Sequence, residues 1–309
     1  MFKKILISIL ALLVAVPLTI FFFFPSILFT FSIKAEKNAA KLTQKEITVV
    51  NHKIVYLEGG KGETILLLHG FTGSKDSWIR FSKGLTDNYH VIALDLPGWG
   101  ESNYFSEQNY SVSNQVDRLK KITTSLGIDK YHLAGYSMGG AIAGELAYRF
   151  PSDILSLGLF ANAGISSPNK SEYLIANEAG NNLLLVNSVE DFDRVLSLVF
   201  FTVPEIPRPV KAFLAERAVK RRSLNQKIFS DRSANPAKLE PMLPKLNMPV
   251  MVMWGAEDRV IDVSTVDVMK PLLQNATYFI MENTGHVPMI EKPADTATMY
   301  RSFLKSIGN

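Results

Sequence analysis

From Glu46 onward the chain alternates short apolar runs with longer amphipathic ones. Residues 46–50 and 53–57 are aliphatic and β-branched on either side of Asn51 and His52, which predicts an antiparallel pair turned at those two positions. Residues 64–68 and 89–94 are continuous apolar runs, the pattern of strands covered on both faces. Between them, Trp78, Ile79, Phe81 and Leu85 recur at helical spacing over 76–85, and Val112, Val116, Leu119 and Ile122 do so over 111–126. Further strands are expected at 131–135, 154–160, 250–254 and 277–282, with helices at 138–150 and 293–307. Strand–helix alternation of this kind predicts an α/β fold, a mainly parallel sheet flanked by helices.

Two intervals break the rhythm. Residues 164–246 carry helix-like pattern, including 183–186 and 192–201, where a single connection should stand. A structureless loop of that length is improbable inside a compact domain, so a helical cap inserted over one end of the sheet is expected, dividing the core into 46–163 and 247–309. At the other extreme, no charge occurs between Lys4 and Lys34. Twenty such residues in a helix cross a hydrocarbon core of about 30 Å, and the run exceeds the ~7–15 apolar residues of a secretory signal with no small-residue cleavage site after it. Residues 1–33 are therefore expected to be a retained membrane anchor, and 34–45 a polar linker. Lysines flank both ends of the run, so charge does not orient it.

Composition narrows the chemistry. The chain has 309 residues and no cysteine, which excludes disulfides, thiolate zinc sites and a cysteine nucleophile. Its 33 basic and 29 acidic residues give a net charge of +4 without a long basic stripe, and the cluster at 219–222 fits a solvated helix face better than a nucleic-acid surface.

The sequence around Gly135-Tyr136-Ser137-Met138-Gly139 has the G-x-S-x-G pattern, with an apolar strand before it and a helix after it. That context fits a sharp turn that raises the hydroxyl of Ser137 above the sheet edge, with the glycines relieving the approach of strand and helix. A serine hydroxyl needs a base, and His286 is the only histidine C-terminal to Ser137; His52, His69, His90 and His132 lie in or beside predicted strands and turns. The imidazole needs a carboxylate partner, for which Asp258 follows the strand at 250–254, with Glu257 and Asp262 as neighbouring substitutes. Two backbone donors should face the developing oxyanion: the N–H of Met138 at the helix start, and that of Phe71 in the loop after 64–68.

The segments LLLHGFTGSKDSW, DLPGWGES, GYSMGG, WGAEDRVI and GHVPMIEKP occur in this order, and over residues 47–305 the chain resembles the α/β-hydrolase superfamily. The apolar N-terminus, HGF and SMGG together resemble its monoacylglycerol lipase branch, which includes membrane-anchored members and related bacterial lipases. The resemblance implies a Ser137–Asp258–His286 triad, an oxyanion hole of Phe71 and Met138, and a cap that forms the acyl pocket. It implies a serine esterase or lipase acting through an acyl-enzyme, with a lipid-like ester as partner, a membrane location, and neither metal nor organic cofactor. C–C bond hydrolysis and cofactor-free perhydrolysis use the same three residues in relatives of this fold, and a tethered domain that binds lipid or protein without turnover is the non-enzymatic alternative.

Overall fold

The computed structural model of the protein describes Thr19 and residues 24–308. Most of the expected anchor therefore lies outside the described residues, and among these no helix is long and apolar enough to cross a membrane. The chain enters through helix α1 (Pro25–Ala39), with Pro25 at its first position, where the missing N–H is no loss. The polar stretch at 34–45 does not form a free linker. It completes α1 and opens strand β1 (Leu42–Val49), because Ala40 and Leu42 are buried and Arg80 pairs bidentately with Glu36.

β1 and β2 (His52–Gly59) form the expected hairpin, with the turn one residue earlier than expected, at Val50 and Asn51. Both take positive φ, 47° and 66°, because a two-residue loop of that hand matches the twist of its strands, and His52 is thereby free to pair with Val49. β3 (Thr64–Leu68), β4 (His90–Leu94), β5 (Tyr131–Tyr136), β6 (Ile154–Phe160), β7 (Val250–Gly255) and β8 (Ala276–Met281) complete an eight-stranded sheet. Its order is β1-β2-β4-β3-β5-β6-β7-β8. All pairs from β4 to β8 are parallel; β2 runs antiparallel to both β1 and β4.

The inner strands are apolar throughout because both faces are covered. On one face Val116, Leu119 and Ile122 of α3 (Val112–Ser125) pack with Ile142 and Leu146 of α4 (Met138–Arg149). On the other, Trp78, Phe81, Phe160, Tyr300 and Phe303 form an aromatic cluster with adjacent ring centres 5.2–6.3 Å apart. Trp78 ends a short 3-10 turn (Lys75–Trp78) that leads into helix α2 (Ile79–Ser82), while Tyr300 and Phe303 belong to a long helix after β8.

Between β6 and β7 stand four helices, α5 (Glu172–Glu178), α6 (Val189–Val199), α7 (Arg208–Lys220) and α8 (Arg222–Ala234). The stretch at 183–186 is not helical. Gly180 at φ 83° ends the preceding turn, the side chain of Asn182 accepts from Leu184 N, and Leu183, Leu185 and Val186 are buried from a turn instead. After β7 come α9 (Thr265–Met269), then β8, α10 (Pro288–Glu291) and α11 (Pro293–Ile307), the helix that carries Tyr300 and Phe303.

Two buried polar arrangements fix the loops at the C-terminal edge of β3 and β4. Lys75 and Asp95 are fully enclosed, with Lys75 Nζ 2.9 Å from Asp95 and 2.7 Å from Glu101. Asp95 also accepts from the N–H of Lys75 and of Glu101, both at 2.8 Å. Burial alone would lower the ammonium pKa, but Asp95, Asp76 and Glu101 outweigh it and hold the group above its ordinary value. Beside it, the buried imidazole of His69 donates from Nδ1 to Gly70 O and accepts Leu96 N–H at Nε2, an arrangement that only the neutral ring can make. Desolvation pulls its pKa from 6.5 to about 4.

Lys75→Met should cost about 3–5 kcal/mol in urea unfolding, because Asp95 is left charged and enclosed without its cation; a loss under 1 kcal/mol would refute the pairing. His69 should make stability depend on pH. The unfolded ring binds a proton below about 6.5 and the folded one only near 4, so the stabilisation is complete above 6.5 and is lost as pH falls toward 4, by about 2 kcal/mol at pH 5. An imidazole resonance of His69 titrating near 6.5 in the folded protein would contradict this.

Candidate functional site

β5 ends at Tyr136 and α4 begins at Met138, leaving a single residue, Ser137, to reverse the chain. Its backbone takes φ 54° and ψ −122°, a conformation that a non-glycine residue holds only when its surroundings dictate it. Here they do. Ser137 N–H donates to Phe160 O at 3.0 Å, and Ser137 O accepts from Ala141 N and Ala163 N at 3.1 and 3.0 Å. The turn also brings α4 against the end of β3: a Cβ at Gly139 would stand 2.4 Å from the carbonyl oxygens of Leu68 and His69, and one at Gly135 would stand 2.3 Å from Gly139 O. Both glycines are required by this approach. Ser137 itself is half-buried at the edge.

β3, β5, β7 and β8 run in one direction, so the loops that follow them leave from the same edge. Asp258 lies three residues beyond β7 and His286 five beyond β8. His286 Nδ1 donates to Asp258 Oδ2 at 2.8 Å, with both side chains enclosed, at 5% and 0% exposure. The other oxygen, Asp258 Oδ1, accepts from Val260 N and Ile261 N at 2.8 and 2.9 Å, which fixes the plane of the carboxylate. The two neighbouring acids are used elsewhere, Glu257 on Thr284 N and Asp262 on Ser264 N. The remaining histidines serve local structure: His90 meets Glu58 and Thr64, His132 meets Ser156 and Glu63, and His52 approaches Val50 O.

Phe71 lies in the loop after β3 and Met138 in the first turn of α4, on the two sides of the close approach at Gly139. Neither backbone N–H has an internal acceptor among the described residues, leaving both available to an external oxygen. The Phe71 ring is held by Trp99 and Phe229, with centres 6.3 and 6.1 Å away. Among the described residues no group of three or more histidines and carboxylates is arranged to hold a metal ion.

Several positioning contacts went unrecognised in the sequence. Glu291 accepts from Gly285 N at 2.8 Å, Thr202 N at 2.7 Å and Phe201 N at 3.3 Å, while His286 N donates to Val199 O at 2.8 Å. Arg259, next to Asp258, donates to Ser197 O and Phe200 O. The end of α6 is thus tied to both the acid loop and the histidine loop. Arg221 similarly reaches Gly98 O at 2.8 Å. These residues read in sequence as ordinary surface charges, and most of their partners stand far away along the chain.

Residues 63–293 match the family model described as alpha/beta hydrolase fold. Lipase 1 of Psychrobacter immobilis is 35% identical over 276 residues, 88% of this chain and 87% of the relative. Monoacylglycerol lipase ABHD6 of Homo sapiens is 30% identical over 261 residues, 81% and 77% of the two chains. Among solved structures, that of a membrane phospholipase A superposes with a TM-score of 0.91 at 43% identity, covering 99% of each chain. With its parallel sheet, its elbow at Ser137 and these relatives, the chain belongs to the α/β-hydrolase family, as a lipase-type hydrolase.

Proposed function

We propose that the protein is a membrane-anchored serine lipase that hydrolyses carboxylic esters of lipids through an acyl-enzyme. The observation that carries the reading is the buried 2.8 Å hydrogen bond between Asp258 and His286, at the sheet edge from which Ser137 emerges. Ser137 Oγ attacks the ester carbonyl while His286 Nε2 takes its proton, and Asp258 holds the Nδ1–H tautomer and stabilises the imidazolium. The oxygen that becomes negative is met by the N–H groups of Phe71 and Met138. Collapse expels the alcohol, which receives the proton from His286. Water, deprotonated by the same ring, then releases the carboxylic acid and restores Ser137.

A lipid substrate is supported by the space between cap and core. A cavity of about 260 Å³ beside Thr72, Gly73 and Ser74 has one side formed by Leu184, Phe192 and Leu214 of the inserted segment, which suits an acyl chain, and a polar side with Asp76, Arg217 and Arg221. The helical insertion at 164–246 acts as the cap. A membrane location is supported by the uncharged run before Lys34, whose last residues form the start of α1, with Phe24 just before the helix and Phe31 within it exposed at 50% and 67%. Anchoring raises the rate of encounter with esters dissolved in the bilayer. Monoacylglycerols are the first candidate, from the relatives named for that activity; glycerophospholipids are the second, favoured by the 43% identity to the membrane phospholipase A.

The purified protein should cleave p-nitrophenyl butyrate and monoacylglycerols, and Ser137→Ala should lose at least ~10³ in kcat. Full activity in that variant would sink the assignment, as would a fluorophosphonate that leaves Ser137 unlabelled. In membranes from expressing cells, alkaline carbonate should fail to extract the full-length chain; its appearance in the supernatant would contradict the anchor.

A further inference from the structure

A second cavity, of about 210 Å³, lies between α5, α8 and the first turns of α4. Ala141 and Ala163 line it, the two residues whose N–H groups hold Ser137 O, so it abuts the backbone of the proposed nucleophile. Its polar lining is Tyr173, Asn177, Arg232 and Ser233, and no acidic side chain contributes to it. Ser233 is exposed, so the cavity reaches the surface at the end of α8.

Arg232 is the unusual member. Its guanidinium carbon stands 5.5 Å from the centre of the Phe71 ring. Its Nε is buried without a partner, and among the described residues the side chain makes no hydrogen bond or ion pair. The acid next to it in sequence is occupied: Asp231 accepts from Lys227 Nζ and, at 3.0 Å, from Tyr110 N. Desolvation draws the guanidinium below its ordinary pKa, opposed by Tyr173, yet a guanidinium stays charged in proteins. Arg232 is half-buried, and its buried Nε lacks an acceptor that an anion supplied from outside would provide. Around it, Tyr173, Asn177 and Ser233 offer neutral donors, and burial keeps the Tyr173 phenol protonated.

We propose that Arg232, with Tyr173, Asn177 and Ser233, forms a subsite for a phosphate group carried on the polar end of the lipid ester. This rests on Ser137 being the residue that is acylated. A phosphate fits better than the carboxylate of a released fatty acid. That carboxylate forms at Ser137 against Phe71 N–H and Met138 N–H, whereas neither Ser137 nor Met138 lines this cavity. The group it takes therefore lies beside the elbow rather than at the scissile carbonyl itself, and a planar guanidinium suits a phosphate in two-point contact. Arg232 would thus select a phosphate-bearing lipid over a neutral glyceride.

The test compares 1-acyl lysophosphatidylglycerol with the monoacylglycerol of the same chain length in wild type, Arg232→Gln and Arg232→Lys, with thermal melts of each. The ratio of kcat/KM for the phosphate-bearing ester over the neutral one should fall about 10- to 100-fold in Arg232→Gln, chiefly through KM, and recover in part in Arg232→Lys. Glycerol 3-phosphate should inhibit wild-type hydrolysis of p-nitrophenyl butyrate, and less so in either variant. An unchanged ratio, or equal losses on both esters, would overturn the subsite. So would a fatty acid, but not glycerol 3-phosphate, losing its inhibition in the variants. Should Arg232→Gln fail to fold, Arg232→Lys and wild-type inhibition decide between these outcomes. Inability of the wild type to cleave p-nitrophenyl butyrate would instead strike the Ser137 reading.

Discussion

The site depends on one close approach, that of the first turn of α4 to the end of β3. Without a Cβ at Gly139 the helix comes to within contact of the Leu68 and His69 carbonyls, and the chain between β5 and α4 is left with one residue to make the turn. Ser137 is therefore forced into its positive φ by packing on both sides, and three backbone hydrogen bonds hold it there. The same approach sets the Met138 N–H and the Phe71 loop on the two sides of one contact. The proposed nucleophile and the proposed oxyanion donors are thus consequences of a single packing event.

Buried charges and tethers organise the rest of the edge. Asp95 gathers the backbone of Lys75 and Glu101 and the ammonium of Lys75, so the loops after β3 and β4 are fixed to one another. Neutral His69 adds a second link between them through Gly70 O and Leu96 N–H. On the far side, Glu291 and Arg259 bind the end of α6 to the loops of His286 and Asp258. A displacement of the inserted helices would be felt by the Asp258–His286 pair through these contacts. Arg232 stands apart from this pattern: it has no carboxylate partner among the described residues, and its side chain lines a cavity.

Much of the core was legible because covered strands and amphipathic helices differ in period. Strands β3 and β6 and helix α11 fall where the apolar spacing puts them, and most other boundaries shift by a residue or two, but β1 begins four residues before the expected strand and the helix expected over 76–85 shrinks to a 3-10 turn and the short α2. Less was legible where local signals compete. The segment at 183–186 has helical spacing, yet Asn182 turns it, and the polar residues at 34–45 look like a linker until Ala40 and Leu42 find the sheet. The hairpin turn moved by one residue because the pairing of His52 with Val49, not turn preference, sets its register.

By itself the sequence determined the α/β class, the strand–serine–helix elbow at Ser137, and His286 as the one histidine downstream of it. These follow from periodicity and from chain order, which are local or one-dimensional properties. It left Asp258 beside two substitutes. Only the tertiary structure separated them, since Glu257 and Asp262 are turned to Thr284 and Ser264 while Asp258 reaches His286 across 28 residues. Likewise Arg232 is one of several basic residues in the sequence, and it becomes distinctive only when folding buries its Nε and gives it no carboxylate. Charge type is written in the sequence, but whether a charge is paired depends on what the fold brings beside it.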